Sequence, residues 1–172
     1  MQAVRAEFPL DVELDHGAAW QRMRDLSMAH MYVPGLAPVT FVGPQREGPG
    51  THRRVRMYGL LAMDETVIAW REGEGFTLRL HRGASGPLPP LREHYFDYGL
   101  DMRDGRVWLV NRMRYEVGLG PLGALLERLL LRRIFRRQLH DITLAQKLYY
   151  ETGRRATPAM LKAARSRLGE AR

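Results

Sequence analysis

From Val39 to Val117 the chain alternates apolar and polar residues in short runs, and glycine-containing turns separate the runs. That period of two marks strands with one buried face. The runs cover roughly residues 39–43, 51–59, 62–72, 75–82, 91–103 and 105–117, with turns at Gly48–Pro49–Gly50, Gly73–Glu74–Gly75 and Asp104–Gly105. Residues 83–90 (GASGPLPP) form a longer loop. The period then changes. Pro121 suits the first position of a helix, the helical pattern continues to Glu151, and Gly153 closes it. Successive antiparallel strands followed by one long helix leave few folds open. Such a sheet must curl, and the helix is the only element able to fill its concave side.

The flanks add smaller elements. Phe8, Leu10, Val12 and Leu14 alternate within a strand spanning Val4 to Leu14. Asp15 is placed to cap a short amphipathic helix carrying Ala18, Ala19, Trp20, Met23 and Leu26. A second short helix from Ser27 ends before the Pro34–Gly35 turn. Thr157–Pro158 can open a last helix with Met160, Leu161, Ala164 and Leu168. The expected class is α+β: a curved antiparallel sheet of about six to seven strands wrapped around a long C-terminal helix, with two short helices after the first strand. One domain over residues 1–153 and a basic tail with a short helix over 154–172 are expected.

Charge is distributed unevenly. Residues 1–117 hold 15 basic and 15 acidic side chains, whereas residues 118–172 hold 12 and 4, which is the whole net charge of +8. The chain has no cysteine, so thiolate metal sites, disulfides and cysteine nucleophiles are excluded. Arg or Glu interrupts every apolar stretch, so no transmembrane helix is expected. Residues 1–14 mix Arg5, Glu7, Asp11 and Glu13 with apolar residues, unlike a signal peptide, and a cytoplasmic location is expected.

Several motifs resemble the START/SRPBCC (helix-grip) superfamily, in its polyketide cyclase/dehydrase and lipid-transport branch. They are Asp15 to Trp20, Pro34–Gly35 with the following strand, Arg112–Tyr115 leading through residues 118–126 (GLGPLGALL), and the helix end at residues 148–153 (LYYETG). The likeness covers roughly residues 4–153. It implies a cavity between sheet and helix, suited to a hydrophobic small molecule or lipid; no cofactor is expected.

The last hairpin allows a sharper reading. A two-residue turn at Asp104–Gly105 sets Arg103 opposite Arg106 and fixes the register outward. One face then carries His94, Phe96, Tyr98, Leu100 and Met102 against Tyr115, Met113, Asn111, Leu109 and Val107. The other carries Asp97 opposite Arg112, a plausible exposed ion pair. The first face is apolar except for Tyr98 facing Asn111 and His94 facing Tyr115. These pairs either hydrogen-bond within a packed core or line a pocket, and the family resemblance favours the pocket. Glu65 faces inward with Met63, Val67 and Ala69, or outward, leaving Asp64, Ile68 and Trp70 inside. Facing inward, it is an acid/base candidate in an apolar cavity.

No histidine pair has metal-ligand spacing, and nucleophile-elbow, dinucleotide and P-loop motifs are absent, so no metal site is expected. Non-catalytic binding by a carrier, sensor or accessory protein is therefore the leading reading. A cyclase or dehydrase-like enzyme and a filled-core interaction module are the alternatives.

The long helix carries two different stripes. From Leu131 onward, Leu131, Ile134, Phe135, Leu139, Ile142, Ala145 and Tyr149 form one, with Arg133, Arg136, Arg137, His140 and Lys147 opposite. Before it, Leu122, Leu125, Leu126, Leu129 and Leu130 lie on nearly the other side. One straight helix cannot bury both, so a break near Leu130–Arg132, or a flap, is expected. Leu125, Leu126, Arg132, Arg133, Arg136 and Arg137 then either sit on a solvated surface or contact anionic lipid or a partner, dimerisation included. Nucleic acid is disfavoured, because Phe135, Tyr149 and Tyr150 are not interleaved with arginine as a stacking platform.

Overall fold

Seven strands pair antiparallel in one sheet, in the order β1-β7-β6-β5-β4-β3-β2. The computed structural model describes residues 6–170. The strands are β1 (Ala6–Val12), β2 (Thr40–Val42), β3 (His52–Met57), β4 (Leu61–Arg71), β5 (Gly75–His81), β6 (Leu91–Arg103) and β7 (Arg106–Val117). Val4 and Arg5, placed in the first strand by sequence, lie outside the described residues. Pro9 falls in β1, an edge strand, where its missing N–H breaks no ladder.

Two short helices follow β1, as expected. Asp15 caps α1 (His16–Arg24), its Oδ1 accepting from the Ala18 N–H at 2.9 Å. A 3-10 turn at Leu26–Met28 leads into α2 (Ala29–Tyr32). The Pro34–Gly35 turn is tied to the β3–β4 hairpin, where the Tyr58 N–H donates to the Gly35 carbonyl at 2.8 Å. Gly35 has φ of +80° and lies against the Tyr58 ring, so close that a Cβ would stand 2.3 Å from Cε1. Glycine is needed there twice over.

The long C-terminal helix is not uniform. It runs as α3 (Gly120–Leu126), a π turn at Glu127–Leu131, and α4 (Arg132–Thr152), which Gly153 ends in the left-handed conformation. The break falls where the two apolar stripes change sides. A π turn widens the helix and rotates every later side chain around the axis, so the later stripe reaches the sheet while Leu122, Leu125, Leu129 and Leu130 stay exposed. Leu139, Ile142, Ala145 and Tyr149 are buried as their stripe requires, but Ile134 is exposed. Among the described residues no helix is long and apolar enough to cross a membrane.

The core lies between the concave face of the sheet and α4. Phe76, Leu78 and Leu80 of β5, Phe96 and Tyr98 of β6, and Leu109 and Met113 of β7 meet Leu139, Ile142 and Ala145 there. Beyond α4, α5 (Pro158–Glu170) folds back: the Ala156 N–H donates to the Met31 carbonyl at 3.2 Å, Leu161 is buried, and Arg165 pairs with Asp141 at 2.7 Å.

Candidate ligand site between sheet and helix

The β6–β7 register matches the reading from the turn: Arg103 opposes Arg106, Leu100 opposes Leu109, Phe96 opposes Met113 and His94 opposes Tyr115. His94, Phe96, Tyr98, Leu100, Leu109, Asn111, Met113, Tyr115 and Glu65 are all buried. Two expected contacts are replaced. Asp97 does oppose Arg112 along the backbone, but its carboxylate takes both guanidinium contacts from Arg114, at 2.8 Å, while Arg112 turns to Glu7 on β1. Asn111 does not bond to Tyr98. Its Nδ2 reaches α4, donating to Gln146 Oε1 at 2.7 Å and Thr143 Oγ1 at 3.0 Å. Gln146 in turn donates to the Tyr150 hydroxyl at 3.0 Å.

Glu65 faces inward with Val67, and a bulge between Val67 and Ala69 lets Ile68 point to solvent. It is not an isolated carboxylate. Arg53 stands directly opposite on β3, 2% exposed, with Nε 2.7 Å and one terminal nitrogen 2.6 Å from Glu65 Oε2, and it also donates to the Leu26 carbonyl. Burial opposes the Arg53 charge, and the Glu65 carboxylate more than restores it, leaving the guanidinium pKa above its ordinary value.

Aromatic rings surround this pair. Tyr32 of α2 lies 5.9 Å from Tyr98, 6.0 Å from Tyr149 and 6.3 Å from Tyr150, centroid to centroid. Burial raises the pKa of Tyr32, Tyr98 and Tyr150, so all three hydroxyls stay protonated at neutral pH.

A second polar group sits under the π turn. The Tyr115 hydroxyl donates to Glu127 Oε1 at 3.1 Å, and Arg132 reaches the same carboxylate at 3.2 Å. His94 packs on Phe135 with rings 5.5 Å apart, and burial lowers its pKa to about 4, which keeps the imidazole neutral.

Three polar atoms in this interior have no hydrogen-bond partner among the described residues: Tyr32 Oη, His94 Nε2 and Asn111 Oδ1. They come from α2, β6 and β7, and all three side chains are buried. A cleft of about 400 Å³ opens between the β3–β4 turn and α4, lined mainly by Val33, Met57, Tyr58, Leu61, Ile134 and Ile142; it borders the core at Val33 and Ile142, and Tyr32, His94 and Asn111 are not among its lining residues. Among the described residues no three His, Asp or Glu side chains gather to hold a metal ion.

Tyr32, Tyr150, Gln146 and Arg53 were not singled out by sequence. Arg53 could have been, since a hairpin turn centred on Gly59 brings it opposite Glu65. The outer residues also have places: Leu125, Arg132, Arg133, Arg136 and Arg137 are exposed, Leu126 is half-buried, and among the described residues Arg132 alone of these arginines is paired, with Glu127.

No protein-family model and no curated sequence matches the chain. Solved structures do. A hypothetical protein of Helicobacter pylori is 18% identical, with 85% of each chain covered and a TM-score of 0.62. The di-domain ARO/CYC StfQ of the steffimycin biosynthetic pathway is 16% identical with a TM-score of 0.64; the match takes in 95% of this chain and 52% of that one. Ara h 8.0201 is 15% identical, over 84% of this chain and 95% of that one, with a TM-score of 0.56. Together with the strand order and the long helix, these likenesses show the helix-grip fold.

Proposed function

We propose that this helix-grip chain binds a hydrophobic small molecule or lipid between its sheet and α4, as a carrier, sensor or accessory protein. One observation carries the reading. The interior between sheet and α4 holds three buried polar atoms without hydrogen-bond partners among the described residues, and a mainly apolar cleft that opens to the outside borders that interior at Val33 and Ile142. Buried polar atoms are nearly always satisfied, and leaving one unmet costs about 1–3 kcal/mol. A mainly apolar ligand with one or two hydroxyl or carbonyl groups meets that need, and apolar walls with a few converging polar groups are the usual make-up of small-molecule sites.

Native mass spectrometry of the protein purified from cells tests this. The expected result is an adduct that denaturation releases and that Met57→Trp, filling the cleft, removes. A bare mass, together with no saturable binding of a fluorescent fatty-acid probe, overturns the reading.

The Arg53–Glu65 pair favours one alternative, a cyclase or dehydrase-like enzyme acting on a polyketide-type or aromatic substrate in the same cavity. Ionic groups enclosed by tyrosines are tools for polarising a carbonyl and moving a proton. The likeness to StfQ is compatible with it. This reading requires turnover that Glu65→Gln abolishes while ligand binding persists.

A further inference from the structure

The outward side of the C-terminal helix changes character along its length. Its first part exposes Leu122, Leu125, Leu129 and Leu130, with Leu122 and Leu129 67% and 69% accessible. Its second part exposes Arg133, Arg136 and Arg137. Tyr58, Leu60 and Leu61 at the β3–β4 turn are exposed as well, and Tyr58 and Leu61 share the walls of the cleft with Ile134 and Arg137. The apolar hairpin tip thus borders the start of α4 at Ile134, one helical turn beyond Leu130. Exposed apolar groups gathered in this way mark a contact surface.

The arginines identify the partner. Elsewhere on the chain several exposed arginines are paired, Arg54, Arg71, Arg79, Arg103 and Arg112 each meeting a carboxylate, while Arg46, Arg56 and Arg82, which enter no ion pair among the described residues, stand singly along the sequence. Among the described residues Arg128, Arg133, Arg136 and Arg137 enter no ion pair, although a helix offers positions three and four residues away for an acid. The segment is thus cationic without internal compensation and apolar beside it. A second copy of the chain fits poorly, because a two-fold contact would set this arginine cluster against itself. Nucleic acid has no use for the leucines. An anionic bilayer satisfies both halves, taking leucines below the headgroups and guanidinium groups at the phosphates.

We propose that α3, the π turn and the start of α4, with the β3–β4 tip, dock this protein on an anionic membrane surface. The contact brings the open side of the cleft to the bilayer, yet it stands whether or not the interior holds a ligand.

Vesicle flotation with the full chain tests it, using phosphatidylcholine alone or with about a third of phosphatidylglycerol. The expected result is flotation with the anionic vesicles only, weakening as salt rises. Arg133→Gln/Arg136→Gln/Arg137→Gln should lower partitioning on the order of a hundredfold. Leu125→Asp/Leu129→Asp should abolish it, with unchanged thermal unfolding because both side chains are exposed. Absence of flotation, equal flotation with neutral vesicles, or undiminished flotation of the leucine variant overturns the proposal. So does a wild-type dimer in sedimentation that the leucine variant dissociates, since the ridge then belongs to a second copy. A bound adduct in mass spectrometry without flotation would leave the ligand reading standing and remove this one.

Discussion

Asn111 on β7 and Gln146 on α4 join the sheet to the helix across the centre of the groove, through a single 2.7 Å hydrogen bond between fully buried side chains. The same Nδ2 also serves Thr143, so one amide ties two turns of α4 to the sheet. Its Oδ1, meanwhile, is left without a partner among the described residues. One side chain therefore both closes the core and keeps a buried acceptor free of protein partners among the described residues.

Replacing Asn111 by Leu removes both bonds and leaves Gln146 Oε1 buried without its donor. The expected loss is about 1–3 kcal/mol of stability, read as a lower urea midpoint with an unchanged slope. Asn111→Asp cannot supply the Nδ2 donor and should not rescue it. An unchanged midpoint for Asn111→Leu would show that the helix is held by apolar packing alone.

The Arg53–Glu65 pair separates stability from function. Arg53→Met leaves Glu65 buried without its counter-charge and the Leu26 carbonyl without its donor, which should cost about 3–5 kcal/mol. Arg53→Met/Glu65→Leu removes both charges and should recover most of that loss, because buried ion pairs contribute little net stability over apolar side chains. Urea unfolding of the three proteins checks the order. Ligand binding in the double variant then tells whether the charges serve the site: retained stability with lost binding is the expected outcome.

How far the sequence carries depends on which dimension is asked about. The β6–β7 hairpin was legible because Asp104–Gly105 admits one short turn, and a strand pair has one register once its turn is set. The helix break was legible because two stripes on opposite sides cannot share one sheet. The partners of the inward side chains were not. Asn111 looks toward Tyr98 when only the sheet is considered; its bonds to Thr143 and Gln146 depend on the phase of α4, and a π turn resets that phase by a rotation that no local pattern announces. Asp97 likewise passes over its direct neighbour Arg112 for the diagonal Arg114, because β1 brings Glu7 to Arg112 from a hundred residues away in the chain. Tyr32 escaped notice for the same reason, as its surroundings come from α2, β6 and α4.

Glu127 should hold the π turn in place. It is the one carboxylate among residues 120–132, it is buried, and it collects both the Tyr115 hydroxyl and Arg132. Glu127→Ala frees all of these contacts at once. Amide exchange in residues 119–131 should accelerate by at least tenfold while the sheet keeps its protection, since the damage is local. Global stability should fall by about 1–2 kcal/mol. Equal acceleration across β5–β7 would instead make Glu127 part of the global core.

His94 makes stability depend on acidity. Its folded pKa is about 4 against an ordinary 6.5, a difference caused by burial of the ring beside Phe135. The unfolded chain therefore binds the proton first. Above about pH 6.5 both states are neutral at this site and its full contribution is present; as pH falls from 6.5 toward 4, protonation of the unfolded state withdraws it. The accumulated effect is about 3 kcal/mol below the folded value. Because carboxylates and other histidines titrate nearby, the informative quantity is a difference: His94→Leu should flatten the wild-type stability profile between pH 6.5 and 4 relative to its own value at neutral pH. Chemical denaturation at half-unit pH steps measures both curves. Parallel profiles would show that His94 reaches solvent in the folded protein and takes up its proton there.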